Sequence, residues 1–346
     1  MIVNINPAPL RTGQLLDSLV QLNNYGLKSY GRPQILGSLS IGGHKPKSTL
    51  SLLGQISEGI AFGRIEYDFA DSETQGHWKM WASASDTHSI LGGSAASKGK
   101  SREIGFGHRS QVTGGYRDFV AQESVDFVFR TSQTRLASTA SVTSAVHDHQ
   151  VRFKESFDNS KLNVDASHAD FTLAMGSYDH LYNQNVEEIY AKLEMNLRHQ
   201  RSWDVDRKWF SVVNLKGQYN SGRLDSYNQL ALGGVDGVRA FTSVDGVGDR
   251  GLVLNLELNR RLENGMTVGA FYDVGSIRLL SPNLSTEYGG RYSLQAVGMQ
   301  ATGNYQQWYM TGSVAKGLGN YKGWNSYNIE STPRNWRVYG SLTYRF

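Results

Sequence analysis

The feature that most constrains the fold is an alternation of apolar and polar residues that recurs along most of the chain. Between Leu252 and Leu258 every second residue is leucine, and Asn255 and Glu257 lie between the leucines. The same alternation begins again near Ala61, Trp78, Ile189 and Trp336. A period of two places successive side chains on opposite faces of a β-strand, whereas a helix would spread the same charges around its whole circumference. The chain is therefore predicted to be all-β.

Two all-β architectures share this pattern, a soluble sandwich and a transmembrane barrel. A sandwich buries its apolar face and uses strands of about 5–6 residues, whereas a barrel turns that face to lipid and needs about 9–11. The alternating stretches extend over about 9–13 residues, and the opposite face carries charges of both signs, as a water-filled lumen would. Aromatic residues cluster near their ends, as at membrane interfaces: Trp78, Trp209, Trp308, Tyr309 and Trp336. A transmembrane antiparallel β-barrel is therefore predicted; the alternative, a soluble β-sandwich binding protein, would need no detergent for extraction.

About sixteen strands fit the sequence, which leaves roughly 22 residues for each strand and its connection. Their predicted starts are Leu15, Gln34, Thr49, Ala61, His77, Arg102, Ser124, Leu136, Ala169, Glu188, Lys208, Gly251, Met266, Arg291, Gln307 and Trp336. Short turns of the periplasmic type are predicted at 42–46 and 262–265. Outer loops are predicted at 71–76, 220–250 and 319–334. The pattern constrains the strand boundaries least between residues 111 and 171.

Composition excludes several other classes of protein. No run of about 18 consecutive apolar residues is present, so no transmembrane helix is predicted. The chain contains no Cys, which excludes disulfides, thiolate zinc sites and cysteine nucleophiles. A net charge of +4 without a block of Lys and Arg argues against a nucleic-acid partner.

The enzyme-like and metal-like matches have simpler explanations. Residues 246–251 satisfy G-x-G-x-x-G, but the residues that follow alternate as a strand, whereas a dinucleotide fingerprint must open a helix. His147, Asp148 and His149 are interpreted as a solvated strand end, because no third ligand lies at helical spacing. No nucleophile elbow and no zinc-protease motif occurs. No cofactor and no metal is therefore predicted, and the chain is not expected to be an enzyme.

The chain ends on Phe346, which shares a strand face with Tyr344 and Leu342. A terminal aromatic residue on an alternating last strand resembles the signal read by the outer-membrane barrel assembly machinery. The glycine usual in that signal is displaced by one position, at Gly340. Tyr344 and Phe346 are therefore predicted to form an assembly signal, which makes the assembly machinery an expected partner during biogenesis.

The most informative motifs lie between residues 230 and 275. The central motif is Val238, Arg239, Ala240 and Phe241, and a glycine pair, Gly233 and Gly234, precedes it. The next strand opens with Gly248, Asp249 and Gly251. The strand after that carries Phe271, Asp273 and Gly275. By alternation, the residues on its lipid face are Met266, Val268, Ala270, Tyr272 and Val274. Phe271, Asp273 and Gly275 are therefore predicted to face the lumen.

These motifs, together with Asn23-Asn24-Tyr25-Gly26 near the N-terminus, resemble those of the two-partner secretion transporters, the Gram-negative outer-membrane family of haemolysin and filamentous-haemagglutinin exporters. Ala240 stands where that family usually has Gly, and Asn23 where it has Asp. The resemblance implies that the sixth outer loop folds inward and that Arg239 grips Asp273 of the wall by paired charge-assisted hydrogen bonds. A pair exposed to lumen water would contribute about 1–3 kcal/mol, which suits a latch that must hold and release.

The resemblance also implies a function. The barrel would be an outer-membrane pore that exports a large unfolded partner exoprotein, which could be an adhesin, a cytolysin or a contact-dependent toxin. Outer-membrane lipid and lipopolysaccharide would be its other partners. Residues 1–13 are predicted to be the tail of a periplasmic POTRA region or a linker, and residues 14–346 the barrel.

Two other functions share part of this pattern. A passive general porin fits the alternation and the charge but does not account for the paired motifs around Arg239 and Asp273. An outer-membrane barrel assembly factor shares the loop motif, and it would show unusually weak pairing between its first and last strands.

Overall fold

A computed structural model describes residues 16–42, 47–71, 76–91, 96–112, 118–139, 141–159, 165–180, 186–280, 290–319 and 336–346. Sixteen antiparallel strands close into one barrel, and two short strands form a separate sheet. The barrel strands are β1 (Leu16–Asn23), β2 (Gln34–Gly42), β3 (Thr49–Ser57), β4 (Ile60–Ala70), β5 (His77–His88), β6 (Ser97–Val112), β7 (Val120–Leu136), β8 (Val142–Asp158), β9 (Ser167–His180), β10 (Val186–Ser202), β11 (Trp209–Asn220), β14 (Arg250–Arg261), β15 (Thr267–Arg278), β16 (Arg291–Tyr305), β17 (Trp308–Leu318) and β18 (Trp336–Arg345). The separate sheet pairs β12 (Leu230–Ala231) with β13 (Val247–Gly248).

The predicted POTRA tail or linker, residues 1–13, lies outside the described residues. In the described part of the chain, no helix is long and apolar enough to cross a membrane. The predicted fold class, an antiparallel barrel of sixteen strands, is confirmed.

The first and last strands close the barrel. β1 pairs with β18 over five residue pairs, and side chains extend this seam at both ends. Arg345 donates to the two carboxylate oxygens of Asp17 at 2.9 and 2.7 Å, and the side-chain oxygen of Asn24 accepts a hydrogen bond from the Gly340 N–H at 2.8 Å. An unpaired backbone group in hydrocarbon would cost several kcal/mol, and closure leaves no strand edge there.

β14 shows how the alternation of the sequence produces this wall. Leu252, Leu256 and Leu258 are 51%, 39% and 50% exposed on the outer face. Asn255 and Asn259 are buried on the inner face, against other protein groups. A strand that is apolar on one face only suits a wall between lipid and a polar interior. The predicted period of two is therefore confirmed in the described strands.

Most predicted strand starts agree with the structure to within two residues, and three do not. β6 begins at Ser97 and not Arg102, β7 at Val120 and not Ser124, and β8 at Val142 and not Leu136. These strands have 16, 17 and 17 residues, whereas lipid requires only about 9–11. Their extra length lies outside the apolar layer, where the sequence carries no lipid-facing alternation. Leu136 ends β7 and pairs with Ser97.

The strand order also corrects one predicted loop. Consecutive antiparallel strands place their connections alternately at the two ends of the barrel. The connection 71–76 therefore lies at the same end as the short turns at 43–48 and 262–266. The connections 221–249 and 319–335 lie at the other end. The prediction of 71–76 as an outer loop is wrong, because the end at which a connection lies follows from strand parity and not from its length.

We expect the purified chain to need detergent, to show strand-type circular dichroism, and to migrate faster on gels unheated than boiled. The physical reason is that an apolar outer face and a hydrogen-bonded wall without edges resist unfolding by detergent at room temperature. A chain that stays monomeric without detergent and migrates identically before and after boiling would contradict the transmembrane assignment.

Candidate functional site

The connection between β11 and β14, residues 221–249, is named the long segment below. It contains β12 and β13, and it is the sixth connection at its end of the barrel. Its Arg239 side chain contacts Asp273 of the wall, and its Gly237 carbonyl accepts a hydrogen bond from the wall residue Asn255. Both wall residues lie on the inner face, opposite the exposed leucines of β14.

Backbone hydrogen bonds fold the motif at 238–241 into a tight turn. The Val238 N–H donates to the Leu232 carbonyl at 2.7 Å, and the Gly234 N–H donates to the Phe241 carbonyl at 2.9 Å. Gly234 has φ +109°, a left-handed conformation that residues with a side chain rarely adopt. A glycine before the motif is thus required by the turn that directs Arg239 toward the wall.

Arg239 contacts Asp273 through two parallel hydrogen bonds. Its Nε donates to Oδ2 at 2.9 Å and its Nη2 to Oδ1 at 2.7 Å, the two-pronged geometry that guanidinium and carboxylate groups favour. The backbone N–H of Arg239 donates to the same carboxylate at 3.0 Å. The two side chains are 7% and 0% exposed. The expectation of a water-exposed pair is therefore wrong, and removing one partner of a dry pair costs about 3–5 kcal/mol.

The sequence did not identify three further partners of this pair. Arg239 Nη1 donates to Glu257 Oε1 at 2.9 Å and to Gln300 Oε1 at 2.8 Å. The Asn255 amide donates to Asp273 Oδ1 at 2.8 Å. Alternation places Asn255 and Glu257 on the inner face of β14, but it does not give the register that sets Asn255 opposite Asp273. Strand register was the missing information.

The charge balance around Arg239 keeps it ionised. Burial lowers the pKa of its guanidinium, but the hydrogen bonds and charges of Asp273 and Glu257 outweigh burial and raise that pKa above its ordinary value. One buried cation is therefore shared by two carboxylates. Either carboxylate would repel the other if the cation left, because both project from neighbouring strands into the same space.

Aromatic side chains extend the contact to other strands. The Arg239 guanidinium carbon lies 3.5 Å from the ring centroid of Phe271, a cation–π contact. Phe241 packs so closely on β17 that a Cβ at Gly317 would lie 2.9 Å from its ring. The Phe241 carbonyl accepts a hydrogen bond from the Tyr339 hydroxyl of β18 at 3.1 Å. The motif at 238–241 thus contacts the wall from β14 to β18.

Small residues permit this close approach. A Cβ at Gly275 would lie 2.9 Å from Leu232 Cδ2 and 3.4 Å from Val238 Cγ2, so a side chain there would push the long segment off the wall. Gly233 forms an isolated bridge with Val238. Ala240 is 9% exposed and belongs to the buried apolar cluster around Val238, so this site holds a methyl group where the resembled family has glycine.

The glycine–aspartate motif closes the base of the long segment and does not contact Arg239. The Asp249 carboxylate, 1% exposed, accepts backbone hydrogen bonds from Leu224 at 2.9 Å and Leu280 at 2.6 Å. Gly248 and Gly251 flank it, and a Cβ at either would press on β15. The motif therefore ties the start of the segment, the start of β14 and the end of β15 together.

The predicted assembly signal lies elsewhere, at the opposite end of the barrel. The rings of Tyr344 and Phe346 are 4.7 Å apart in an edge-to-face arrangement, and Trp308 lies 4.7 Å from Tyr344. Phe346 is 67% exposed. These residues form an exposed aromatic group that the structure does not bring near Arg239.

The interpretation of residues 147–149 as a solvated strand end is wrong. Asp148 lies inside β8, is 1% exposed, and contacts Arg130 at 2.6 Å. His147 and His149 are exposed on the other face of the same strand, so alternation keeps these three side chains from sharing one ion. Among the residues that the structure describes, no group of three or more His, Cys, Asp or Glu could hold a metal ion.

Comparison with known proteins relates the chain to a family of secretion proteins. The model of the haemolysin secretion/activation protein family ShlB/FhaC/HecB matches residues 76–301. This range covers more than half of the chain and includes the long segment, Glu257, Asp273 and Gln300. No curated protein sequence matches the chain.

Solved structures share the fold at low sequence identity. CdiB from Escherichia coli matches with a TM-score of 0.75 and 16% identity, over 96% of this chain and 63% of that chain. CdiB from Acinetobacter baumannii matches with a TM-score of 0.72 and 14% identity, over 96% and 60%. BamA from Haemophilus ducreyi lacking POTRA domains 1-3 matches with a TM-score of 0.69 and 12% identity, over 96% and 70%. The chain thus spans less than two thirds of the length of either CdiB chain.

We expect Arg239→Ala and Asp273→Ala each to accelerate chymotrypsin cleavage after Phe241 at least about tenfold, because each leaves a buried charge without its main partner. Arg239→Ala should have the larger effect, since it leaves both Asp273 and Glu257 without a cation. The double variant should add little, because each change destroys the same contact. The measurement is the cleavage rate in intact proteoliposomes.

Asp236→Ala is the matched control, because Asp236 is an exposed carboxylate on the same segment and its loss should leave the rate unchanged. Two single variants whose effects simply add would show that Arg239 and Asp273 act independently.

Proposed function

The chain belongs to the haemolysin secretion/activation protein family ShlB/FhaC/HecB, and we propose that its barrel is the pore through which an unfolded partner exoprotein leaves the cell by two-partner secretion. The barrel lies in the outer membrane of a Gram-negative bacterium. Outer-membrane lipid and lipopolysaccharide would contact its exposed apolar belt. The exoprotein would be an adhesin, a cytolysin or a contact-dependent toxin.

The contact of Arg239 with Asp273 is the observation that supports this proposal most. It fixes the long segment to the inner face of the wall by one guanidinium and two hydrogen bonds, with no covalent link. We propose that the segment occupies the lumen at rest as a latch and leaves its place when the exoprotein enters. Such a contact is strong enough to hold the segment on the wall and can break reversibly.

Export in this proposal needs no nucleotide, metal or cofactor, and the barrel has no catalytic role. The exoprotein would fold outside the cell, where burial of its apolar surface makes return through the pore unfavourable. Residues 1–13 are proposed to be the tail of a periplasmic POTRA region or a linker. The POTRA region would select the exoprotein, so the barrel contributes passage and closure.

A barrel assembly factor is the second candidate, because the barrel also resembles BamA in fold. The seam between β1 and β18 has five residue pairs, against eight between β1 and β2. The β1–β18 pairing is therefore shorter than the β1–β2 pairing. Side-chain hydrogen bonds of Arg345 and Asn24 extend it at both ends. A passive porin is less well supported, because a freely open pore needs no buried ion pair to hold a segment.

We expect the purified chain to form ion channels in planar bilayers, and Arg239→Ala to raise their open probability. In cells, we expect the exoprotein encoded beside the gene to reach the medium when the barrel carries a matching POTRA region, and not when the chain begins at residue 1. The readouts are single-channel current and exoprotein in the culture medium.

A barrel that releases all periplasmic proteins equally would indicate a porin. A barrel that never exports the exoprotein but restores the assembly of other barrels would indicate an assembly factor.

A further inference from the structure

The long segment also contacts the wall at a second buried polar group, far around the barrel from Arg239. Arg130 of β7 donates through Nη2 to Asp148 of β8 at 2.6 Å and to Asp225 of the long segment at 3.1 Å. The three side chains are 1%, 1% and 4% exposed. The guanidinium carbon of Arg130 lies 3.7 Å from the ring centroid of Tyr227, also on the segment. This group of Arg130, Asp148, Asp225 and Tyr227 is called the second anchor. The burial of its charged side chains distinguishes it from a surface ion pair.

Neutral side chains complete the second anchor. The Asn228 amide donates to Asp148 at 3.0 Å and to Asp225 at 2.6 Å, and it thereby joins the wall carboxylate to the segment carboxylate. The Tyr190 hydroxyl of β10 donates to Asp148 at 2.9 Å. The contacts therefore bring β7, β8 and β10 to one end of the segment, while the Arg239 group, the first anchor, brings β14 to β18 to its centre.

We propose that the second anchor is a weaker hold on the long segment than the first and that it releases first when the segment moves. This inference rests on the proposed function only in assigning that movement to export. The order of release follows from what each anchor leaves behind on the wall.

The two anchors have opposite polarity. In the first, the segment supplies the cation and the wall supplies two carboxylates, Asp273 and Glu257. When Arg239 leaves, these carboxylates lose the cation that both contact. In the second, the segment supplies the carboxylate, and the wall keeps Arg130 bound to Asp148. The wall of the second anchor therefore stays neutral after release, whereas the wall of the first is left with two neighbouring like charges.

Apolar packing gives the same order. Around the first anchor, four segment residues join a buried cluster with the wall: Leu232, Val238, Ala240 and Phe241. Around the second, Leu224 is the segment residue in the buried cluster with Val146, Tyr178 and Tyr190. Apolar stabilisation scales with the area removed from water. Opening the part of the segment near Leu224 therefore costs less free energy than opening the part near Val238.

The absence of Cys from the sequence allows a direct test. Leu224→Cys places a thiol beside the second anchor and Val238→Cys places one beside the first, at sites that are 6% and 0% exposed. The rate of maleimide labelling then reports how often the segment opens at each anchor in the refolded chain, without exoprotein. We expect the thiol at 224 to react about tenfold faster than the thiol at 238, and Asp225→Asn to accelerate it about tenfold more, as expected for losing a charged hydrogen-bond acceptor. The rate at 238 should not change.

Asp236→Asn is the matched control, since it removes an exposed carboxylate from the same segment and should alter neither rate. If Asp225→Asn does not give the heat-modifiable folded form, Tyr227→Leu replaces it. This variant removes the ring over Arg130 without changing charge, and it should also accelerate labelling at 224. A thiol at 238 that reacts as fast as the thiol at 224 would overturn the order of release. Acceleration of both thiols equally by Asp225→Asn would overturn it too, because the segment would then move as one body.

These outcomes are separate from the test of the pore. Labelling is measured on the chain alone, so a failure here leaves export through the barrel intact. If the labelling rates are as expected but the exoprotein is not secreted, the proposed function is contradicted and the order of release is still supported.

Discussion

The whole structure depends on one constraint: in a lipid layer, backbone polar groups must find their hydrogen-bonding partners within the protein. An antiparallel sheet meets this constraint only when its first and last strands pair, as β1 and β18 do here. Closure then divides every strand into an outer face and an inner face. Each residue's side is fixed by its parity, so apolar and polar side chains must alternate along the wall.

Closure also creates the problem that the long segment solves. Polar residues of neighbouring strands lie side by side on the inner face, and Asp273 and Glu257 would repel each other without a cation between them. Among the described residues, the cation in contact with these two carboxylates is Arg239 of the segment. The stability of the wall and the position of the segment are thus coupled, since the same guanidinium neutralises the one and holds the other.

The sequence predicted the parts of this structure that depend on periodicity and local motifs, and it missed those that depend on register and context. Alternation predicted the barrel, its strand number, and the inward direction of Phe271 and Asp273. It could not show that Asn255 stands opposite Asp273, because strands slide relative to one another without changing their pattern. The burial of Asp148 was missed for a related reason. Its partners Arg130, Tyr190 and Asn228 are distant in sequence. The residues beside it are polar histidines on the outer face. The true starts of β6 and β7 were missed because alternation marks only the part of a strand that faces lipid. The start of β8 was predicted too early, at Leu136, which ends β7.

The two anchors make the long segment more than a plug of suitable size. A plug held by uniform packing would leave the barrel as one body, and every contact would have to break together. Here the wall next to Asp225 keeps a balanced ion pair without the segment, because Arg130 and Asp148 contact each other. The wall next to Arg239 would instead be left with two carboxylates that have lost the cation they share. The segment can therefore open from the β7 to β8 side while Arg239 still holds it to β15. An incoming chain would then compete first with the weaker contact, and the space it gains there would bring it beside the stronger one. The direction of opening is set by which side of each ion pair the wall supplies.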